Sequence, residues 1–264
     1  MSCQRIVIKV GTSTLTYENG KPAIRRVEQL CKVLSDLQNA GNEVILVSSG
    51  AIGIGVGKLG LKQRPTETDE KQAVAAVGQC ELMFMYDKIF GEYNHTVAQI
   101  LLTRDVVEND HKKSNVINTF EKLLSMGIIP IVNENDTVSI DELQGQNFGD
   151  NDMLSAIVAD IVDADLLVIL TDIDGLYDKN PRVYADAKRI PKVTHIDAKL
   201  KEIAGGTGSN RGTGGMITKL SAAAVAMSSG IKCHIIKGDD PMLLYDMLEG
   251  KDIGTVFVAA NSGV

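Results

Sequence analysis

The apolar residues of this chain fall in short uninterrupted runs, separated by longer stretches with helical spacing. Uninterrupted runs are typical of strands buried on both faces of a parallel sheet, whereas an apolar residue every three or four positions indicates an amphipathic helix. The runs predict strands at residues 5–10, 43–47, 97–102, 128–132, 166–170, 232–236 and 255–258. The helical spacing predicts a helix over residues 27–37 that ends by Gly41, and further helices at 72–90, 113–126, 153–161, 216–229 and 241–248.

Strands and helices that alternate in this way predict an α/β fold, a three-layer αβα sandwich around a mainly parallel sheet. Right-handed crossovers in such a sheet place ligand sites at the carboxyl ends of the strands. We expect residues 1–264 to form one domain. A division near residue 165 into two halves that share the sheet fits the pattern, although the sequence does not force it. The polar stretch 137–149 is interpreted as a hairpin or flap, and 174–191 as an excursion between strands.

Composition narrows the possible partners. The chain has 27 basic and 34 acidic side chains, a formal net charge of -7, and no run of lysine or arginine. This balance argues against a nucleic acid or an anionic membrane as a partner. The four cysteines show neither a CxxC pair nor zinc spacing, and the amino terminus has no signal-peptide pattern. We therefore expect a cytoplasmic protein with no membrane and no nucleic-acid partner.

Glycine is distributed unevenly: of 25 glycines, five lie within residues 50–60 and six within 205–215. Both windows are predicted to be loops, whose N–H groups can turn toward an anion, with two mobile surface loops as the alternative interpretation. The Walker A pattern is absent, and the GxGxxG at residues 55–60 lacks the strand-to-helix context of a dinucleotide site. Any phosphate site is therefore of another type.

Lys9 is the first candidate for chemistry, because it lies inside an apolar strand. A buried lysine without a partner is costly, so we expect it to face a polar cleft, and a lysine that reaches water from an edge strand is the alternative. Gly11, Thr12 and Ser13 follow it and can bring a backbone and two hydroxyl groups to a phosphate.

Other candidates lie at strand ends and helix starts. The carboxylates at a helix start could serve only as N-caps, but the asparagines and acids here exceed what capping needs. They suit a polar small molecule with an ammonium group, or organised cations. Lys219 falls in the first helical turn after the second glycine window, aimed at a phosphate bound there. The motifs contain Ser49, Gly50, Ala51, Asn133, Asp136, Asn151, Asp152, Thr171, Asp172, Thr213, Gly214, Gly215, Met216 and Lys219.

Together these motifs resemble, in order and over nearly the whole chain, those of glutamate 5-kinases in the amino acid kinase family. The resemblance implies ATP-dependent phosphorylation of the L-glutamate γ-carboxylate to γ-glutamyl phosphate, the first step of proline biosynthesis. It implies Mg²⁺ carried on the ATP phosphates and no metal site built from protein ligands. Many glutamate 5-kinases carry a carboxyl-terminal PUA domain, and because this sequence stops at Val264 we expect none here.

The resemblance also implies roles for single residues. Lys9 and Lys219 flank the transferred phosphoryl group, and Asp152 holds both lysines ionised and oriented; these three form the catalytic set. Residues 1–165 form the acceptor half and 166–264 the nucleotide half. Glutamate is bound by Ser49, Gly50, Ala51, Asn133, Asp136 and Asn151, with Asp136 receiving the α-ammonium group. ATP is bound by Lys9, Gly11, Thr12, Ser13, Thr171, Asp172, Thr213, Gly214, Gly215, Met216, Ile217, Thr218 and Lys219.

Two alternatives remain open from the sequence. One is a family member that phosphorylates another acceptor, such as N-acetylglutamate, aspartate or carbamate, and the other is a nucleotide-binding sensor without catalysis. The resemblance further implies a homo-oligomer, a dimer or a tetramer, and functional coupling to γ-glutamyl phosphate reductase (glutamate-5-semialdehyde dehydrogenase). The helix at 72–90 is the expected contact, because Leu82, Met83, Phe84 and Met85 exceed one core face.

Overall fold

The uninterrupted apolar runs form the strands of a central sheet in the computed structural model, which describes residues 3–138, 151–204 and 215–259. Four long strands that lie side by side in the sheet, Arg5–Val10, Glu43–Ser48, Ile129–Glu134 and Leu166–Thr171, are buried along almost their whole length, as expected for runs without polar alternation. Val97–Leu102 at the edge of the sheet and Lys232–Lys237 are only partly buried. The strands are β1 (Arg5–Val10), β2 (Glu43–Ser48), β3 (Val97–Leu102), β4 (Ile129–Glu134), β5 (Leu166–Thr171), β6 (Leu176–Tyr177), β7 (Arg189–Ile190), β8 (Lys192–Val193), β9 (Lys232–Lys237) and β10 (Thr255–Phe257).

The sheet has eight strands in the order β3-β4-β2-β1-β5-β9-β10-β8. All neighbouring pairs are parallel except β9 and β10, which confirms the mainly parallel sheet. From the central β1–β5 pair, the chain continues to β2 on one side and from β5 to β9 on the other, so a switch in direction, where α/β sheets place their ligand crevice, falls at the carboxyl ends of these two strands. β6 and β7 form a separate antiparallel pair, which confirms an excursion after β5.

Ten helices lie within the described residues, and they cover both faces of the sheet. Six of them begin and end close to the predicted positions, whereas α1, α3, α5 and α8 were not predicted as helices. The helices are α1 (Thr12–Leu15), α2 (Ile24–Asn39), α3 (Ala51–Leu59), α4 (Thr68–Glu92), α5 (Arg104–Glu108), α6 (Asp110–Ser125), α7 (Asn151–Ile161), α8 (Ala198–Ala204), α9 (Met216–Ser228) and α10 (Leu243–Leu248).

Two hydrophobic cores sandwich the sheet, one on each face. Val7 of β1 packs into the core made with α6, α7 and α9. Its neighbours Ile6 and Ile8 point the opposite way, into the core made with α2, α4 and α10. Because successive side chains of a strand alternate between faces, one apolar run supplies both cores. The predicted three-layer αβα sandwich is confirmed.

The prediction of a loop at residues 50–60 is wrong, because most of this window is the helix α3. Gly50 has a φ of 105° and precedes the helix in a conformation that favours glycine. Gly55 lies inside the helix, where a Cβ would stand 2.1 Å from the carbonyl oxygen of Val74 in α4. Gly55 therefore lets α3 and α4 approach closely, and the window is a helix instead of the predicted loop.

The sequence also predicted a division of the sheet into two halves, a flap and a second glycine-rich loop. β1–β4 make one half of the sheet and β5 with β8–β10 make the other, which is the arrangement that a division near residue 165 requires. The assignment of acceptor and nucleotide functions to these halves stays a prediction. The predicted flap at 137–149 and the glycine window 205–215 lie mostly outside the described residues. No helix in the described ranges is long and apolar enough to cross a membrane.

Candidate active site

Two lysines share one buried carboxylate at the centre of the molecule. Lys9 Nζ lies 2.7 Å from Oδ1 of Asp152, and Lys219 Nζ lies 3.0 Å from Oδ2. The exposed fractions of Lys9, Asp152 and Lys219 are 4%, 0% and 6%, so water is nearly excluded. Two ammonium groups against one carboxylate leave a net positive charge, which suits an anion bound beside the lysines.

Each member of this cluster comes from a different element. Lys9 is the penultimate residue of β1, Asp152 lies in the first turn of α7, and Lys219 lies in the first turn of α9. Thr218 Oγ1 has two acceptors for its one hydrogen, Asp152 Oδ2 at 2.9 Å and the carbonyl oxygen of Gly215 at 2.8 Å, and it links the start of α9 to Asp152. The packing of α7 and α9 on the same face of the sheet thus brings three distant residues together.

The charge state of Asp152 follows from these contacts. Burial alone raises the pKa of this carboxyl group, but the ammonium groups of Lys9 and Lys219 outweigh it and lower the pKa to about 2. An opposite charge within a few ångströms favours the ionised form, and two such charges do so from both sides. Asp152 is therefore a carboxylate at neutral pH.

A chain of amide groups lies next to this cluster, at the ends of β2 and β4. Asn151 Nδ2 donates to Ser49 Oγ at 2.8 Å and to Asn133 Oδ1 at 2.9 Å. Asn133 Nδ2 in turn donates to Gln79 Oε1 at 2.8 Å. Since Asn151 directly precedes Asp152, the amide chain and the charged cluster share one helix start.

Three further predicted acceptor residues lie in the turns that follow β2 and β4. Gly50 and Ala51 follow Ser49, and Ala51 begins α3 with only 2% of its surface exposed. Asp136 is half-buried in the turn after β4. The structure thus brings the predicted acceptor residues to the carboxyl ends of β2 and β4 and to the start of α7.

The predicted nucleotide residues divide between the ends of β1 and β5 and the start of α9. Thr171 ends β5 and is 6% exposed. Asp172 follows and forms an ion pair with Arg182 at 2.7 Å. Burial raises the pKa of Asp172, but hydrogen bonds from Arg182 and Thr171 outweigh it, and the pKa is below its ordinary value.

The turn after β1 contains Gly11, Thr12 and Ser13, and the last two begin α1. A Cβ built on Gly11 would lie 3.7 Å from the Lys9 ammonium group, so this glycine keeps the approach to Lys9 open. At the start of α9, Gly215 precedes the helix, Met216 packs against the core, and Ile217 points outward with 40% of its surface exposed. Thr213 and Gly214 lie outside the described residues.

Sequence reasoning did not single out Gln79 or Arg182. Gln79 had a visible signal, since it is a polar residue within the buried stripe of α4 that includes Ala75, Gly78 and Leu82. Arg182 had no such signal, because its partner Asp172 is ten positions away across an irregular segment. Within the described ranges, no group of three or more histidine, cysteine or acidic residues is arranged so that it could hold a metal ion.

Comparison with known proteins places this site in a family context. The model described as "Amino acid kinase family" matches residues 4–237. The chain is 62% identical over 257 residues to "Glutamate 5-kinase" of Clostridium perfringens, covering 97% of this chain and 96% of that protein. It is 54% identical over 256 residues to "Glutamate 5-kinase" of Enterococcus faecalis, covering 97% and 94%.

Solved structures with low sequence identity share the fold. The UMP kinase of Bacillus anthracis superposes with a TM-score of 0.66 at 16% identity, covering 97% of this chain and 96% of that one. The isopentenyl phosphate kinase of T. acidophilum gives a TM-score of 0.64 at 18% identity, covering 96% and 99%. At these identities the likeness concerns the architecture alone.

Proposed function

Because this chain belongs to the amino acid kinase family, among its glutamate 5-kinases, we propose that it transfers the γ-phosphoryl group of ATP to the γ-carboxylate of L-glutamate. The products are γ-glutamyl phosphate and ADP, and the reaction is the first step of proline biosynthesis. The observation that carries the proposal is the buried cluster of Lys9, Asp152 and Lys219, whose positive excess suits a phosphoryl group in transfer.

Phosphoryl transfer needs alignment and charge neutralisation more than covalent help from the protein. An oxygen of the glutamate γ-carboxylate attacks the γ-phosphorus in line, and the bond to the β,γ-bridging oxygen of ATP breaks. A carboxylate is already ionised at neutral pH, so no protein base has to remove a proton. Lys9 and Lys219 stabilise the negative charge on the equatorial and bridging oxygens, while Asp152 holds both ammonium groups in place.

The acceptor side is assigned to the amide chain. Ser49 and Asn151 meet the glutamate backbone groups, Asn133 supports Asn151, and the carboxylate of Asp136 receives the α-ammonium group. Gly50 and Ala51 contribute backbone at the start of α3. This assignment puts the acceptor at the ends of β2 and β4, in the half of the sheet formed by residues up to about 165.

The nucleotide side is assigned to the other half of the sheet. Thr171 and Asp172 lie at the end of β5, and Gly215, Met216, Ile217, Thr218 and Lys219 lie at the start of α9. Thr213 and Gly214, outside the described residues, are assigned to the same site from the sequence alone. Gly11, Thr12 and Ser13 complete the contacts from the end of β1. Magnesium accompanies ATP as part of the substrate, bound to its phosphates, and neutralises part of their charge.

Kinases of this family that phosphorylate other acceptors would differ from the proposed enzyme in the groups that the acceptor presents to the site. N-acetylglutamate has no ammonium group to pair with Asp136, and carbamate lacks a carbon chain long enough to reach both the lysines and the amide chain. A nucleotide sensor without catalysis has no use for two buried lysines on one carboxylate, which are expensive to desolvate. L-aspartate has the same charged groups as L-glutamate but one methylene group fewer between them, so chain length is what distinguishes these two acceptors.

The deciding experiment measures ADP formation across acceptors with hydroxylamine present. Hydroxylamine converts an acyl phosphate to a stable hydroxamate, so it reports the product as well as turnover. We expect a hydroxamate with L-glutamate and none with N-acetylglutamate, L-aspartate or carbamate. A hydroxamate formed best with another acid, or ATP binding without turnover of any acceptor, would overturn the assignment.

The proposal extends to assembly and to the fate of the product. Phe84 of α4 is 63% exposed and Val77 is 36% exposed, which supports a homo-oligomer, a dimer or tetramer, with α4 at the contact. An acyl phosphate hydrolyses readily in water, and this lability favours functional coupling to γ-glutamyl phosphate reductase, the enzyme that would consume the product.

A further inference from the structure

We propose that Gln79 is a positioning residue of the acceptor site, which holds the amide of Asn133 and, through it, the side chains that meet glutamate. The proposal rests on the function proposed above. Gln79 lies on α4, with 8% of its surface exposed, and its Oε1 accepts a hydrogen bond from Asn133 Nδ2 at 2.8 Å. Asn133 is 3% exposed, so water cannot replace this partner freely.

A backbone group sets the direction of this hydrogen-bond chain. The N–H of Glu134 can only donate, and it donates at 2.9 Å to the side chain of Asn133, so the atom that it meets is Oδ1. Asn133 Nδ2 therefore faces Gln79, and Gln79 must present its carbonyl oxygen. The amide orientation of all three side chains follows from one fixed donor.

The chain continues to the atoms that meet the substrate. Asn151 Nδ2 has two hydrogens to donate, and the short contacts go to Ser49 Oγ and Asn133 Oδ1; the carbonyl oxygen of Ser48, at 3.2 Å, is the more distant acceptor near the same nitrogen. Ser49 Oγ thus accepts from the protein, and in this proposal its hydrogen is donated to a carboxylate of the substrate. Asn151 Oδ1 is assigned to accept from the ammonium group. This arrangement of one donor and one acceptor matches a zwitterionic amino acid. Gln79 stabilises the arrangement through its hydrogen bond to Asn133, on the side away from the substrate groups.

Packing alone does not explain a glutamine at this position. Nε2 of Gln79 is buried and has no hydrogen-bond partner among residues 3–138, 151–204 and 215–259. A buried donor without a partner destabilises a fold, so stability favours an apolar side chain here. The hydrogen bond from Asn133 Nδ2 to Gln79 Oε1 is the interaction that an apolar side chain at this position would not make.

The test compares steady-state kinetics of the wild-type chain with those of Gln79→Leu and Gln79→Met, using the hydroxamate assay. Both variants leave Asn133 Nδ2 without its acceptor, and Met keeps nearly the length of Gln in case Leu packs poorly. We expect the KM for L-glutamate to rise about tenfold, with the KM for ATP unchanged and the kcat within about threefold. Thermal unfolding should change little, because the variants also remove the unpartnered Nε2.

A double-mutant cycle separates positioning from general damage. Asn133→Ala raises the glutamate KM by itself, and adding Gln79→Leu to it should raise the KM no further, since the two residues act in series. Gln99→Leu, the same change at an exposed position of β3, is the matched control and should behave as wild type. Additive effects in the cycle, an equal rise in the ATP KM, or an unchanged glutamate KM would each overturn the role of Gln79. A wild-type chain that gives no hydroxamate with L-glutamate would overturn the proposed function, and this role with it.

Discussion

Asp152 has two tasks that can be separated by substitution, the orientation of two lysines and the neutralisation of their charge. Asp152→Asn keeps the shape but leaves two buried ammonium groups without a counter-charge. We expect a loss of stability of about 3–5 kcal/mol, because removing one partner of a buried ion pair leaves an uncompensated charge. Because the lysines are then no longer held, we also expect kcat to fall by about 100-fold or more.

Urea unfolding and the hydroxamate assay measure the two effects. Asp160→Asn is the matched control, since Asp160 lies on the same helix and is exposed, and it should cost less than about 1 kcal/mol. A variant of Asp152 with wild-type kcat would remove this residue from the catalytic set.

The pKa of Asp152 gives a pH dependence with a definite sign. Burial raises the pKa, but Lys9 and Lys219 lower it below the ordinary value of 3.8, to about 2. The folded state therefore holds its charge more tightly than the unfolded chain, and the resulting stabilisation is present above pH 3.8 and lost as the pH falls through about 2. Urea unfolding of the wild type and Asp152→Asn at about pH 6 and about pH 3 should show their difference shrinking by about 1 kcal/mol at the lower pH. An equal or larger difference at the lower pH would mean that the carboxylate is not stabilised in this way.

At the scale of elements, the crossing of α3 and α4 sets the position of the acceptor turn. A Cβ on Gly78 of α4 would stand 1.7 Å from the carbonyl oxygen of Ala51, the residue that begins α3 just after Ser49 and Gly50. Gly78→Ala should thus destabilise the fold by more than about 2 kcal/mol and raise the glutamate KM, because α3 must move. A Cβ on Gly91 of the same helix would meet no atom of the described residues within 4 Å, so Gly91→Ala should be neutral or stabilising by about 0.5–1 kcal/mol. Thermal unfolding and glutamate KM values check both, and equal behaviour of the two variants would contradict the close crossing.

The same crossing shows where sequence patterns stop being sufficient. β1 was predicted with its observed bounds, because a parallel strand that is buried on both faces consists almost entirely of consecutive apolar residues. α3 was mistaken for a loop, because glycine is a poor helix former and its use here depends on α4, a contact that local propensity does not contain.

In the candidate site, too, contacts between residues far apart in the sequence could not be predicted. Lys9 and Lys219 were singled out because lysine is unusual in an apolar strand and after a glycine-rich segment. Gln79 stood visibly in a buried stripe, yet its partner Asn133 lies 54 positions away in the sequence. Polar residues at strand ends can be predicted as a set, whereas the pairing among them depends on tertiary packing.

At the scale of the whole molecule, a net charge of -7 surrounds a site with a positive excess. Exposed charges farther away than about 8 Å are largely screened at physiological ionic strength, whereas buried pairs are screened much less. The acidic surface therefore does not oppose the binding of ATP and glutamate at close range. The central β1–β5 pair explains how the two halves can share that site, since each half contributes a strand end to one crevice.

The outer face of α4 has an apolar stripe that no described residue covers. Ala73, Val77, Cys80 and Phe84 are exposed at spacings of three and four, so they lie on one side of the helix over three turns. Leu82, by contrast, is fully buried in the chain's own core, and Met83 and Met85 pack partly against it. We expect light scattering to give a multiple of the chain mass for the wild type, and a smaller mass for Phe84→Glu, because a buried charge at a helix contact is unfavourable. Met126→Glu, at an isolated exposed methionine elsewhere, should leave the assembly intact. A wild-type monomer would refute the oligomer, and an unchanged mass for Phe84→Glu would move the contact away from α4.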